Sequence, residues 1–241
     1  MGPTMPRSAL ALLLALALGG CATAPVRDPP PPTPEPAPEW SAGPEARLQA
    51  VALARRLVGR RTVSWPGQPI PDDCSGLVLG IYASVGVSLR GMAQPGDNAV
   101  TALYRFARSH GRVFTSGTPS PGDLVFFHDT YDQNGDGLVD DGLTHVALVE
   151  AVEDDGTVLI IHRVRRGVMR YRMNLRHPEL RADPRSGRPL NDYLRGSSGN
   201  ARPVLTGQLF ATFGAVLPAA GPAAQPSALP VLAPQPADGS I

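Results

Sequence analysis

A polar, proline-rich loop from Pro66 to Pro71 runs directly into Asp72-Asp73-Cys74-Ser75-Gly76-Leu77-Val78-Leu79-Gly80-Ile81-Tyr82, and this junction constrains the rest of the chain. Leu77, Ile81 and Val85 recur at helical spacing with Val78 and Tyr82 beside them, so one face of a helix is apolar and must be buried. Cys74 then falls in the first helical turn. Free backbone N–H groups and the positive end of the macrodipole favour a thiolate there. A purely structural cysteine behaves as a small buried hydrophobe and belongs inside the apolar run. Cys74 stands instead between Asp73 and Ser75, where a nucleophile is the better reading.

The elements around this junction follow in a simple order. Glu45 to Gly59 carries an apolar stripe (Leu48, Val51, Leu53, Ala54, Leu57, Val58), with Arg47, Arg55 and Arg56 off it. The Cys74 helix should end near Gly86. A third helix is predicted over Asn98 to Ser109, capped by Asp97 or Asn98, with Leu103, Phe106 and Ala107 inward. Strands are predicted at 123–128, 144–152, 157–164, 168–173 and 208–216, joined by Asp/Gly turns that suit an antiparallel meander. Helices followed by roughly five antiparallel strands make an α+β domain over residues 45–217. Residues 176–202 read only as a long polar excursion.

The ends are of another kind. Arg7 followed by the Ala/Leu run Ala9–Leu18 reads as an export signal over residues 1–20, too short to span a bilayer comfortably. Leu18-Gly19-Gly20-Cys21 resembles the lipobox of bacterial lipoproteins, which implies acylation of Cys21; an ordinary secretory signal is the alternative. Ala22 after it resembles lipoproteins sorted to the outer membrane, and so facing the periplasm. Residues 21–44 form a proline-rich tether that could hold the domain up to roughly 70 Å from its anchor. Residues 218–241 are an Ala/Pro tail, expected to be disordered. With Cys21 lipidated, Cys74 is the only other cysteine of the 2 in the chain, unpaired in an oxidising compartment. A formal charge of +1 and 5% aromatic residues exclude a nucleic-acid partner on composition. A monomer is expected.

A thiol nucleophile needs a base, and the base an orienting group. His145 interrupts the apolar strand Leu143-Thr144-His145-Val146-Ala147-Leu148-Val149, and His162 ends the next, Val158-Leu159-Ile160-Ile161-His162. Neighbouring antiparallel strands can put two such rings side by side. His110, His128 and His177 border loops and read as surface residues.

Asp73-Cys74-Ser75-Gly76-Leu77-Val78, Pro121-Gly122-Asp123-Leu124-Val125-Phe126-Phe127 and Thr144-His145-Val146-Ala147-Leu148-Val149 together resemble the NlpC-type cysteine peptidases of bacterial cell walls, over about residues 45 to 217. The resemblance implies a papain-like α+β fold and hydrolysis of amide bonds in peptidoglycan stem peptides, often between D-glutamate and the diamino acid. It implies Cys74 as nucleophile, His145 as base, His162 as orienter, and Asp73 and Ser75 as residues beside the substrate. No cofactor is implied for catalysis. Members often carry a tyrosine upstream of the cysteine that stabilises the oxyanion. Here Thr62 takes that place, and Trp65 cannot substitute in kind, so another donor is needed; one such donor is worth about 3 kcal/mol.

Two features stand outside the resemblance. The insertion Asp129–Asp141 contains Asp132, Asn134, Asp136, Leu138 and Asp140 at the ligand spacing of an EF-hand loop, with Gly137 in the glycine place and Leu143 where a glutamate is normal. A structural calcium is therefore expected, against a plain solvated Asp/Gly turn. Arg163, Arg165, Arg166, Arg170 and Arg172 read first as cations blunting a sheet edge, and second as contacts for the carboxylates of an acidic peptide. Two rival functions remain at this stage. One is a papain-like thiol acyltransferase or lipid amide hydrolase, which an apolar groove would favour. The other is a wall-binding lipoprotein without activity.

Overall fold

The computed structural model describes residues 45–197 and 202–218. The export signal, Cys21, the tether and nearly all of the tail lie outside the described residues. Three helices, α1 (Ala46–Leu57), α2 (Cys74–Ala83) and α3 (Ala99–His110), precede the strands β1 (Arg112–Phe114), β2 (Leu124–His128), β3 (Leu143–Val152), β4 (Val158–Val164) and β5 (Gly167–Met173). β6 (Tyr193–Arg195), β7 (Val204–Leu205) and β8 (Phe210–Ala215) complete the set. One antiparallel sheet of six strands runs β1-β8-β2-β3-β4-β5, and β6 and β7 pair separately. The α+β expectation holds. The sheet has one strand more than expected, because β1 pairs with the edge of β8.

Alternation divides the buried side chains between the two faces of the sheet. Leu124, Phe126, Val146, Leu148 and Ile161 join the helices in one core. Val125, Phe127, Ala147, Val149, Ile160 and Phe213 form the other, covered by Leu194, Val204 and Leu209 from the stretch after β5. The polar excursion is thus the lid of the second core. Its turns are tied down by Asn191, whose side chain accepts from the Asn174 amide (2.8 Å) and donates to the His177 and Leu180 carbonyls.

α2 lies at the centre of the first core, with Leu77, Val78, Ile81 and Tyr82 fully buried. Two of its glycines permit this. A Cβ on Gly76 would stand 1.7 Å from the Pro71 carbonyl oxygen, and one on Gly80 1.9 Å from the Trp65 ring. The loop before Cys74 therefore presses directly on the helix that follows. Arg163 on β4 holds the same loop, donating to both carboxylate oxygens of Asp72 (2.9 and 3.0 Å).

Arg47, expected off the apolar stripe, is buried. Its guanidinium donates to Asp123 (2.7 Å) and to the carbonyls of Pro121 and Leu217, so one side chain joins α1, the turn before β2 and the end of β8. The Tyr82 hydroxyl donates to the Gly122 carbonyl (2.7 Å) in the same knot. Removing one partner of a buried pair leaves a bare charge, which costs about 3–5 kcal/mol. Arg47→Ala should destabilise the domain by about that much in urea unfolding, with Asp123→Ala in the same background adding little further loss.

Candidate active site

The start of α2 sets the position of Cys74. Asp73 is extended and caps the helix, its Oδ1 accepting from the Gly76 amide (2.8 Å) and the Ser75 hydroxyl (2.7 Å). Ser75 is buried, so its hydroxyl serves the cap and is not free for a ligand. Asp73 and Ser75 border the groove that holds Cys74, with their polar atoms turned to this scaffold.

The two histidines meet. Nε2 of His145 on β3 lies 2.8 Å from Nδ1 of His162 on β4, and the rings stand nearly perpendicular, centroids 5.1 Å apart. His162 is fully buried and packs against the Tyr171 ring, centroids 4.3 Å apart. Its Nε2 has no hydrogen-bond partner among the described residues. His145 can take a proton on Nδ1 only if its Nε2–H donates to His162, which places the other proton on the buried Nε2 of His162.

Protonation is governed by burial. Burial lowers His145 to about 4, opposed by the charge of Asp73. His162 lies well below its ordinary value, through burial first and then its partner ring. Burial also pushes the Cys74 thiol up to about 11, against hydrogen bonding from the amides of Val146, Ser75 and Cys74 itself. The expectation of a thiolate at the helix start is therefore overturned. A helix terminus contributes at most about 2 kcal/mol, and desolvation of the charged form exceeds it here. Cys74 and His145 line one groove but form no hydrogen bond with each other in this state.

The groove has a volume of about 1470 Å³, larger than a usual small-molecule pocket and suited to a stretch of peptide. One wall is the insertion after β2. Asp129 adopts φ 52° and its carboxylate accepts from the Gly142 amide (2.9 Å), closing the base of the loop. The Thr130 amide donates to the Thr144 hydroxyl (2.8 Å), and Asn98 of α3 donates to Gln133 and to the Leu143 carbonyl, both at 2.8 Å. Tyr131, half exposed, projects from this wall into the groove. Its phenol is raised first by burial, and it shares the groove with Cys74. Thr62 is exposed and Trp65 packs on Gly80, so neither lines the groove. Sequence reading missed Tyr131, although an aromatic residue leading an Asp/Gly loop was a usable signal.

Three of the expected calcium ligands, Asp132, Asn134 and Asp136, accept from the loop's own amides. Asp132 accepts from the amides of Gly135 (2.7 Å) and Gly137 (2.9 Å), and Asp136 from that of Leu138 (2.8 Å). Asn134 accepts from the Asp136 amide (2.9 Å), and Asp141 from those of Gln133 and Asn134. Among the described residues no three His, Cys, Asp or Glu side chains converge as a metal site, Asp140 included. Leu143, where a bidentate glutamate would stand, belongs to β3. The arginine cluster divides too. Arg163 pairs with Asp72, and Arg170 with Arg55 holds the buried Glu150, while Arg165 and Arg166 border the groove.

Residues 64–163 match the CHAP domain, a span that contains Cys74, His145 and His162. No curated protein sequence matches the chain. Similar solved structures include an NlpC/P60 family protein from Bacillus cereus ATCC 10987, 19% identical, with 71% of this chain and 40% of that one aligned at a TM-score of 0.38. NlpC2 of Trichomonas vaginalis is 21% identical over 52% of this chain and 40% of that one, with a TM-score of 0.35. NlpC1 of the same organism is 21% identical over 52% and 38%, with a TM-score of 0.34. The chain spans about two fifths of the length of each.

The buried histidines tie stability to pH. With the folded pKa of His145 lowered from 6.5 to about 4, the unfolded chain binds the extra proton as pH falls between those values. Stability should be flat above pH 6.5 and drop by about 3 kcal/mol from His145 alone on going to pH 4. Urea midpoints measured across this range check the slope, and His162→Gln should make it shallower.

Proposed function

We propose that residues 64–163, which match the CHAP domain, form a domain of the NlpC-type, cysteine peptidase-like family, and that the protein hydrolyses amide bonds in peptidoglycan stem peptides through the thiol of Cys74. The CHAP match supports an amidase- or peptidase-like hydrolase of peptidoglycan; the endopeptidase activity and the residue roles are this proposal. The observation that carries it is the hydrogen-bonded His145–His162 pair in the groove that opens onto Cys74.

Substrate draws the thiol and His145 together, and catalytic hydrogen bonds commonly tighten only at that stage. Nδ1 of His145 takes the thiol proton as Sγ attacks the carbonyl carbon. The oxyanion that forms meets the amides at the start of α2 and the Tyr131 phenol, which supplies the donor missing at Thr62. Collapse breaks the C–N bond, and His145 returns its proton to the departing amine. Water, deprotonated by the same nitrogen, then opens the thioester. His162 accepts from His145 throughout and holds its tautomer. Neutral His145 is ready for this work at any pH above about 4.

Asp72, Asp73, Asn98, Gln133, Arg165 and Arg166 line the groove beside Val100, Val139, Val164 and Leu194, so it offers a peptide both charged and apolar contacts. The N-terminal reading completes the proposal: acylation of Cys21 anchors the domain to a membrane, the outer one by the residue after it.

Incubating the soluble domain with purified peptidoglycan and weighing the fragments should reveal cut stem peptides. Cys74→Ala should release none. His145→Ala should lose at least about a thousand-fold in rate, and His162→Ala less. Tyr131→Phe should lower kcat about ten- to a hundred-fold with unchanged stability. Intact stems with the wild-type domain, or equal activity of all these variants, would refute the reading. Cys21→Ala should release the full chain from membranes.

A further inference from the structure

Resting on the proposed function, we infer that the groove reads a free carboxylate on its substrate with Arg165, Arg166 and Arg195, at a distance from the scissile bond. Arg165 and Arg166 form the β4–β5 turn, immediately after the strand that carries His162, and Arg195 ends β6. All three line the groove that holds Cys74. The other basic residue there, Arg163, is spent on Asp72. Among the described residues none of the three forms an ion pair with a carboxylate, whereas Arg55 and Arg170 share Glu150, and Arg188 bridges Glu153 and Asp155.

Arg195 is the most telling. It is partly buried, its Nη1 donates to the Asp129 carbonyl (2.8 Å), and its Nε is buried with no partner. A buried guanidinium N–H left unpaired is costly, and a carboxylate satisfies it with a charge-assisted bond. Arg166 is aimed by the Tyr171 hydroxyl, which accepts from it at 2.9 Å. Tyr171 in turn packs on His162, so the cationic end and the catalytic pair share one support. Arg165 is exposed and touches no charged group among the described residues. Asp73 borders the same groove beside Cys74, so the groove carries both signs of charge. An acidic peptide would be drawn in with its carboxylate toward the β4–β5 turn and its scissile amide at the thiol.

The test uses one stem peptide in two forms, with its carboxylates free and with the same groups converted to carboxamides. Calorimetric titration into the Cys74→Ala protein reads binding without turnover. The acid form should bind at least about ten-fold tighter, and the preference should shrink as salt is raised. Arg165→Gln, which breaks no contact of the fold, should cut the preference several-fold, and Arg195→Gln further. Equal affinity for the two forms, or a preference indifferent to both substitutions, overturns the inference. Stem hydrolysis by the wild-type domain without such a preference overturns this inference alone. The preference without any hydrolysis supports the carboxylate site and overturns the proposed function.

Discussion

Water is excluded from the middle of β3, and much of the chemistry follows from that. The strand is bonded to β2 on one side and β4 on the other, with Val146 and Leu148 in one core and Ala147 and Val149 in the other. A polar group on such a strand must find a partner or remain neutral. Glu150 near its far end is held by Arg55 and Arg170. His145 near its start remains neutral and shares a hydrogen bond with His162. The same dry packing reaches the thiol and favours its protonated form. Cys74 and the two histidines therefore rest neutral within a groove whose rim is charged.

Much of this could be read from the chain, because strong local patterns coincide with tertiary need. The helical spacing after Cys74 matches α2, Asn98 caps α3 through the Thr101 amide, and the histidine-bearing strands pair as alternation suggests. What could not be read depends on distant partners. Arg47 looks like a surface residue until Asp123 and the Leu217 carbonyl close around it. β1, β6 and β7 are too short to leave a pattern, and exist because β8 and the second core need covering. The thiolate expectation weighed the helix terminus and not the desolvation around it. Nor does ligand spacing in the insertion say which of its own amides Asp132 and Asp141 accept from.

The insertion and the excursion, the two stretches least explained by the family pattern, supply the groove walls. Arg195 of the excursion donates to the Asp129 carbonyl at the root of the insertion, so the two walls are fastened together across the site. The core holds the reacting residues, while the additions set what can reach them. This separation lets substrate preference change without disturbing β3.

The central claim is that Cys74 rests as a thiol beside a neutral base. The pH dependence of alkylation of the native domain by iodoacetamide measures this most directly, since only the thiolate reacts. The rate constant should climb steadily from pH 6 to beyond pH 9, tracking a thiol near 11. A rate already fast and level between pH 5 and 9 would mean a preformed thiolate–imidazolium pair, and would contradict the account.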